Sequence, residues 1–392
     1  MSSLPDVVVI GAGVIGAACA YYAARAGLTV TVVDAGSIAG GTTGAGEGNL
    51  LVSDKEPGPE LELATRSLAL WEELANDPAT RLGPAPGIPE GVDFEYERKG
   101  GLVVASSPDA LEGLHDLADR QKSYGVEVER IDGSALADVE PGIARDLAGG
   151  VFYPQDAQVQ PMLAAALLLR AARLAGATVQ TGVRVTGIRK TTGDVIKGVI
   201  TTAGEIATPA VVNAAGPWGC EVAALADAWV PILPRRGFIL VTEPQPPGRV
   251  RHKVYTADYM ANVASSSAGL ETSAVVESTK SGTILIGASR ERVGFDRSLS
   301  VPVLRKLAAQ AVRLFPFLAQ VSAMRAYRGF RPYTPDHLPV IGPDPRVDGL
   351  FHACGHEGAG IGLAPATGAL VAEALTGGDP DLGPFRPDRF AS

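Results

Sequence analysis

The sequence predicts an α/β fold in which a parallel sheet carries a dinucleotide-binding turn, and three observations lead there. Residues 6–34 read DVVVIGAGVIGAACAYYAARAGLTVTVVD: a short β-branched run, a glycine triplet, an apolar helix and a second β-branched run. A second glycine-dense turn opens a helix at the far end of the chain, around residues 355–363. Between the two, β-branched runs alternate with stretches whose apolar residues recur every three or four positions.

The opening unit has a physical logic at each step. The run Val7–Ile10 is short and wholly apolar, as a strand buried on both faces should be. Gly11, Gly13 and Gly16 follow with G-x-G-x-x-G spacing. Gly11 permits the turn from strand to helix, Gly13 lets a pyrophosphate approach the backbone, and Gly16 lets the helix pack closely on the strand. The helix start offers unpaired N–H groups to phosphates, and Gly27 ends the helix. Asp34 lies 18 residues past Gly16, at the end of the next strand, where a carboxylate binds a ribose hydroxyl.

Length and composition set the frame. A chain of 392 residues has room for two or three domains, and 46% hydrophobic residues give them core material. A net charge of −9 with no basic stripe excludes nucleic acid and an anionic membrane surface as partners. The first apolar run is broken by glycines and ends in Arg25, so it is neither a secretory signal nor a membrane span. The apolar run 162–169 is cut by Arg170 and Arg173 and reads as a core helix. Cys19, Cys220 and Cys354 have no metal-ligand spacing, which fits a reducing, cytoplasmic compartment. His352 and His356 stand four apart but among glycines, so no metal site is expected.

After Asp34 comes a glycine-rich run, residues 36–48, placed between a buried strand and a helix. It lets the backbone wrap around something large and flat. A nicotinamide coenzyme seldom needs such a loop; a flavin does, because its ring system extends past the pyrophosphate. Thr42, Thr43 and the backbone from Glu47 to Asn49 are the expected contacts. A helix is expected from about residue 59, and a Pro- and Gly-rich linker at 77–91 marks a domain edge. Strand-like residues at 94–104, an amphipathic helix at 109–124, a strand at 149–155 and a strong helix at 161–176 follow. Strands are then expected at 178–188, 197–202 and 205–212, the last ending in VVNAAGPW, whose small residues allow close approach of a ligand. Residues 231–241 read as a strand and 251–278, small and polar, as a loop or lid holding Tyr255 and Tyr259. A buried strand at 283–288 and a helix at 301–315 precede the C-terminal third.

There the sequence RGFRPYTPDHLPVIGP holds Arg331 before Pro332, which keeps its backbone extended. Residues 351–353 are strand-like. Gly355, Gly358, Gly360 and Gly362 then lead into a helix near Leu363, in which Pro365 is tolerable only in the first turn. This second helix start suits the negative charge that develops on the pyrimidine end of a reduced flavin.

With these motifs in view, the chain resembles the D-amino acid oxidase superfamily, in the branch of glycine oxidase, sarcosine oxidase and hydroxyproline or opine dehydrogenase subunits. The resemblance covers nearly the whole chain and rests on VVVIGAGVIGAACAYYAARAG, GGTTGAGEGN, VNAAGPW, RGFRPYTPDHLPVIGP and GHEGAGIGLAPATG. It implies a Rossmann-like FAD-binding domain and a discontinuous substrate domain built on a mixed β-sheet. The expected division is 1–80, 141–220 and 325–392 for FAD, with 81–140 and 221–324 for substrate. It implies FAD held by Gly11, Gly13, Val14, Ile15, Gly16, Asp34, Thr42, Thr43, Gly48, Asn49, Val185, Gly360, Ile361, Gly362 and Leu363. Ala35, Glu47, Gly355 and Gly358 sit in the same turns and complete the expected coenzyme contacts.

The resemblance also implies oxidation of a C–N bond to an imine by hydride transfer to the flavin. The substrate would be a small-molecule carboxylated amine, its carboxylate bound by Arg331, a planar fork suited to that partner. Tyr259 is the second expected catalytic contact. Three departures stand out: Asp34 replaces the family's usual Glu, Gly358 replaces an arginine found in glycine oxidases, and Gly329 lies where sarcosine oxidases attach flavin through cysteine. The last implies non-covalent FAD. Oxygen or an electron-accepting partner subunit would take the electrons, and a homo-oligomer is compatible with the sequence. A non-catalytic flavoprotein and a nicotinamide-dependent dehydrogenase are the rival readings.

Overall fold

A computed structural model describes residues 4–84, 91–263 and 265–390. Two large sheets dominate it. The first has six strands in the order Val340–Pro343, Leu350–Cys354, Val211–Asn213, Val7–Ile10, Val30–Asp34, Thr178–Thr181. All neighbours run parallel except the edge strand Val340–Pro343, which is antiparallel to Leu350–Cys354. The opening strand is apolar throughout because both of its faces are covered. Val7 and Val9 pack into a cluster with the helices Val14–Arg25, Pro161–Leu174 and Gly360–Leu375. Val8 and Ile10 pack on the opposite side with Ile196 and Val199 from a three-stranded antiparallel sheet, Val185–Lys190, Ile196–Thr201 and Gly204–Ala207.

The second sheet has eight strands in the order Ala323–Tyr333, Leu233–Thr242, Ile284–Arg290, Glu271–Ser278, Lys253–Thr256, Gly101–Ala105, Gly149–Tyr153, Glu129–Asp132. It is mixed, since Lys253–Thr256 and Gly101–Ala105 run parallel. The helix Val301–Leu314 buries Val303, Leu307, Ala311 and Leu314, spaced four, four and three, against Phe238, Leu240, Val276 and Ile286 of this sheet.

The opening and closing helices lie side by side on one face of the six-stranded sheet. A Cβ on Gly368 would stand 2.7 Å from the carbonyl carbon of Ala18, so the two backbones nearly touch. This contact brings together two helix starts separated by most of the chain.

The structure departs from expectation in four places. The supposed loop 251–278 contains the strand Lys253–Thr256, the helix Ala257–Val263 and the strand Glu271–Ser278. Val254, Tyr255, Val275 and Val276 are good strand formers that pair with each other inside the sheet, and the small polar residues between the two runs hide that signal. The runs 178–188 and 205–212 are each divided between the same two sheets, as Thr178–Thr181 and Val185–Lys190 and as Val211–Asn213 and Gly204–Ala207, with Gly182 and Pro209 at the breaks. Gly149–Tyr153 and Ala323–Tyr333 belong to the eight-stranded sheet, although most of their residues fall in segments assigned to FAD. Part of the expected linker, residues 85–90, lies outside the described residues.

The fourth departure is Pro365, which sits sixth in the helix Gly360–Leu375, beyond its first turn. It has no N–H for the Ile361 carbonyl. Trp71 Nε1 supplies one, 3.1 Å from the oxygens of both Ile361 and Gly362. Ser67 Oγ donates to Gly362 O at 2.6 Å and accepts from Ala366 N at 3.3 Å. Two buried side chains of the helix Pro59–Asn76 thus stand in for missing rungs of the helical ladder.

Candidate active site

The turn after the first strand is built from close contacts. Gly11 has φ 117°, and a Cβ there would meet Ala214 O at 2.4 Å. A Cβ on Gly16 would lie 1.9 Å from Gly11 O, so that glycine serves helix-on-strand packing. At the helix start, Val14 N donates to Thr43 Oγ1 at 3.0 Å. Asp34 ties two turns together: Oδ2 accepts from Ala12 N and Oδ1 from Gly36 N, both at 2.7 Å. Thr42 Oγ1 donates to Phe330 O at 2.6 Å and anchors the glycine-rich loop to the eight-stranded sheet.

A cavity of about 530 Å³ runs from this turn to the closing helix, between the two large sheets. Gly11, Gly13, Val14, Ile15, Asp34, Ala35, Thr42, Thr43, Glu47, Asn49, Val185, Gly358, Gly360 and Ile361 line it, together with Arg331 and Tyr259. The small residues at 214–216 line it too. Gly16, Gly48, Gly355, Gly362 and Leu363 do not, and each has a packing reason for lying behind the wall. Gly48 has φ 107° with Val159 O at 2.0 Å from a would-be Cβ, and Gly355 has φ 79° against Thr334. Gly362 faces the backbone of Asn49 and Leu50, and Leu363 is core.

The floor of the cavity is a bare patch of sheet. Gly237 and Gly329 pair directly in register, and both line the cavity. A Cβ on Gly329 would stand 2.7 Å from Ala45 Cβ, so the glycine-rich loop rests on the sheet there. Next along the same two strands, Arg235 faces Arg331. Their situations differ. Arg235, with no exposed surface, is neutralised by Glu357 at 2.6 Å and Glu271 at 3.0 Å. Arg331 has no carboxylate within ion-pair distance among the described residues. Its one protein hydrogen bond among those residues is from Nη1 to Ser289 O at 2.9 Å. Its guanidinium passes over Gly237, where a Cβ would be 2.3 Å from Nη1. Burial, then the neighbouring charge of Arg290, pulls its pKa below the ordinary arginine value.

Several members of this site were not visible in the sequence. Arg290, Arg235 and His337 come from separate segments and meet only in the fold. Glu357, held at φ 44°, lines the cavity, but both of its oxygens are engaged, by Arg235 and by His337 Nδ1 at 3.0 Å. Burial pushes its carboxyl up; the His337 hydrogen bond and the Arg235 charge outweigh this and hold it below the usual range. Tyr255 is fully buried, bonded to Ser53, and does not line the cavity. Tyr259 lines it, packed edge-on to Tyr255 with the Arg290 guanidinium 5.3 Å over its ring. His356 also lines the cavity, and burial lowers its pKa to about 3, so it is neutral there. No group of metal-ligating residues is found among the described residues. No helix there is long and apolar enough to cross a membrane.

The turns and cavity suit FAD. A dinucleotide-binding turn with Asp34 stands at one end, bare glycine sheet lies beneath the middle, and a second helix start closes the other end. Comparisons with known proteins agree. The family model described as "FAD dependent oxidoreductase" (DAO) matches residues 6–374. Hydrogen cyanide synthase subunit HcnC of Pseudomonas aeruginosa is 31% identical over all of this chain and 97% of its own. Glycine oxidase of Geobacillus kaustophilus is 29% identical over 97% of this chain and 96% of its own. The crystal structure of a glycine oxidase from that organism superposes with a TM-score of 0.86, covering 98% of each chain.

Proposed function

Because the chain belongs to the DAO family of FAD-dependent oxidoreductases, we propose that it oxidises the C–N bond of a carboxylated amine to an imine. Glycine, an N-substituted glycine, a D-amino acid or an imino acid is the substrate class, and oxygen the acceptor. The observation that carries this reading is Arg331: a guanidinium without a carboxylate partner, over bare sheet, in the cavity that begins at the dinucleotide turn.

Gly11, Gly13 and Ile15 would hold the pyrophosphate, Asp34 the ribose, and the residues 358–361 the far end of the flavin. When bound, FAD supplies the acceptor for the substrate's hydride. The chain's own residues do the rest. Arg331 fixes the substrate carboxylate through two parallel hydrogen bonds. Glu357 and Arg235 satisfy each other, so they shape the wall without competing for that carboxylate. Tyr259 closes the pocket and Gly237 keeps the approach clear. The gain is orientation, which turns an encounter into an intramolecular step. We take the flavin to be non-covalent: Cys354 lines the cavity, but burial raises its thiol pKa well above the ordinary value, which suppresses the reactive thiolate.

A second reading, transfer of electrons to a partner subunit, is favoured by the relative named as a synthase subunit. An anaerobic screen of the purified yellow protein tests the reaction. Glycine, N-alkylglycines, D-amino acids and cyclic imino acids should include one that bleaches the flavin, and bleaching by none overturns the proposal. Peroxide release with oxygen as sole acceptor separates the two readings.

A further inference from the structure

The eight-stranded sheet carries a second charged group toward the same cavity, and it is a carboxylate. Glu47 lines the cavity yet is only 8% exposed. Among the described residues its Oε1 has no hydrogen-bond donor, and it lies over Gly287, 2.1 Å from where a Cβ would stand. A glycine at 287 is what allows the carboxylate to lie there.

The surroundings of Glu47 leave it short of positive charge. Its Oε2 accepts from Asn49 Nδ2 at 3.1 Å and is 3.8 Å from Lys253 Nζ. Lys253 is shared: it lies 3.3 Å from Glu277, whose own Oε1 also lacks a partner, and it donates to Asn49. Lys99, behind Glu277, is paired with Glu97 at 3.7 Å. Among the described residues Lys253 is thus the one ammonium within ion-pair distance of both carboxylates, while Lys99 acts on Glu277 from farther off. Burial pushes the Glu277 carboxyl above its ordinary pKa, with Lys253 opposing. Tyr327, which donates to Gly46 O, and Arg331 are further titratable neighbours of Glu47.

Arg331 shows the reverse imbalance over the same strand, Ile284–Arg290. It bonds Ser289 O, while Glu47 rests on Gly287. Ser289 and Gly287 are two residues apart, so their Cα atoms are at most about 7.6 Å apart, and the Glu47 carboxylate is close enough for its charge to act on Arg331. A ligand whose carboxylate and α-nitrogen each make a hydrogen bond of about 2.9 Å, with about 3 Å between them, spans a gap of that order. Arginine at one end and glutamate at the other match a zwitterion.

Resting on the proposed oxidation of a carboxylated amine, we propose that Glu47 is the receptor for the substrate's amine nitrogen. Arg331 and Glu47 together read the α-amino acid zwitterion and exclude carboxylates that carry a hydroxyl or nothing in place of nitrogen. Glu47 thus sets specificity as well as position.

The test uses ligands without an α hydrogen, which bind but cannot be oxidised. 2-Aminoisobutyrate serves for open-chain substrates and α-methylproline for cyclic ones, each beside its nitrogen-free counterpart, pivalate or 1-methylcyclopentanecarboxylate. Binding is read from the flavin difference spectrum of holoenzyme. Glu47→Gln should weaken the nitrogen-bearing ligand about 10- to 100-fold and leave the nitrogen-free one within twofold. Equal affinity of wild type and variant for the nitrogen-bearing ligand overturns the inference, as does an equal loss for both ligands. If Glu47→Gln does not retain flavin, Glu47→Asp carries the test, with the same selective loss expected and its absence equally decisive. Failure of the oxidation reading shows separately, as wild-type flavin that no carboxylated amine bleaches.

Discussion

Arg331 and Asp156 are two buried charged groups with opposite stories. On the proposed reading, Arg331 is short of a partner because its partner is the ligand. Arg331→Ala should lower kcat/KM for a carboxylated amine roughly 100-fold, chiefly through KM, since charge-assisted hydrogen bonds contribute about 1.5–3 kcal/mol each. Steady-state kinetics against paired substrates with and without the carboxylate checks this; an equal loss for both would remove Arg331 from carboxylate binding. Asp156 lies outside the cavity, fully buried, accepting from Val52 N at 2.9 Å and paired with Ser53 Oγ. Burial, opposed by these hydrogen bonds, raises its pKa to about 7. The folded state therefore binds a proton that the unfolded state has released between about pH 4 and 7. Stability from this group is complete below about pH 4 and is lost as pH rises to 7. Asp156→Asn mimics the protonated form, so chemical denaturation at pH 5 and pH 8 should differ less in the variant, by a few kcal/mol. An unchanged difference would contradict the assignment.

At the scale of elements, the opening strand, turn and helix were legible because local rules coincide there: a run buried on both faces, a glycine spacing with a steric purpose, and an acid at the next strand's end. The helix Val301–Leu314 was legible for the same reason, its apolar stripe being self-contained in one segment. The helix Ala257–Val263 and its flanking strands were not, because the small polar residues between the two strands hide their strand-forming runs. The cluster of Arg235, Glu357 and His337 escaped for a related cause: its members are up to 122 residues apart and share no local pattern. Pro365 shows tertiary context overriding a local rule, since Trp71 and Ser67 repair the ladder it breaks. Trp71→Phe should therefore destabilise the fold by about 1–3 kcal/mol by removing the donor to the Ile361 carbonyl. It should also weaken flavin affinity, because that carbonyl belongs to the turn lining the cavity. Gly368→Ala should cost a similar amount despite better helix propensity, because the added methyl meets the Ala18 backbone. Thermal melts with and without added FAD measure both.

At the scale of the whole molecule, the cavity lies at a joint between two sheets that share one core. One cluster centres on the first sheet and its helices and reaches Val103, Tyr153, Tyr255 and Val275 of the eight-stranded sheet, while another packs the helix Val301–Leu314 against that sheet. Direct links across the joint include Thr42 to Phe330, Lys253 to Asn49 and Tyr327 to Gly46. The glycine-rich loop supplies the partner in two of them, and Asn49 directly after it in the third. A dinucleotide filling about 530 Å³ between the sheets adds contacts to both and holds that loop down. A ligand bound to the folded chain alone stabilises it by RT ln(1 + [L]/Kd), about 4 kcal/mol at a thousandfold excess over Kd. Flavin-free protein should therefore melt several degrees lower than holoprotein. Limited proteolysis should cut it first within residues 36–48, where glycines and few side-chain contacts leave the backbone open. Added FAD should protect that loop and raise the melting temperature together, with the same concentration dependence. If the loop remained equally resistant without flavin, the two sheets would be joined by protein contacts alone, and the coenzyme would be a tenant of the joint and no part of its structure.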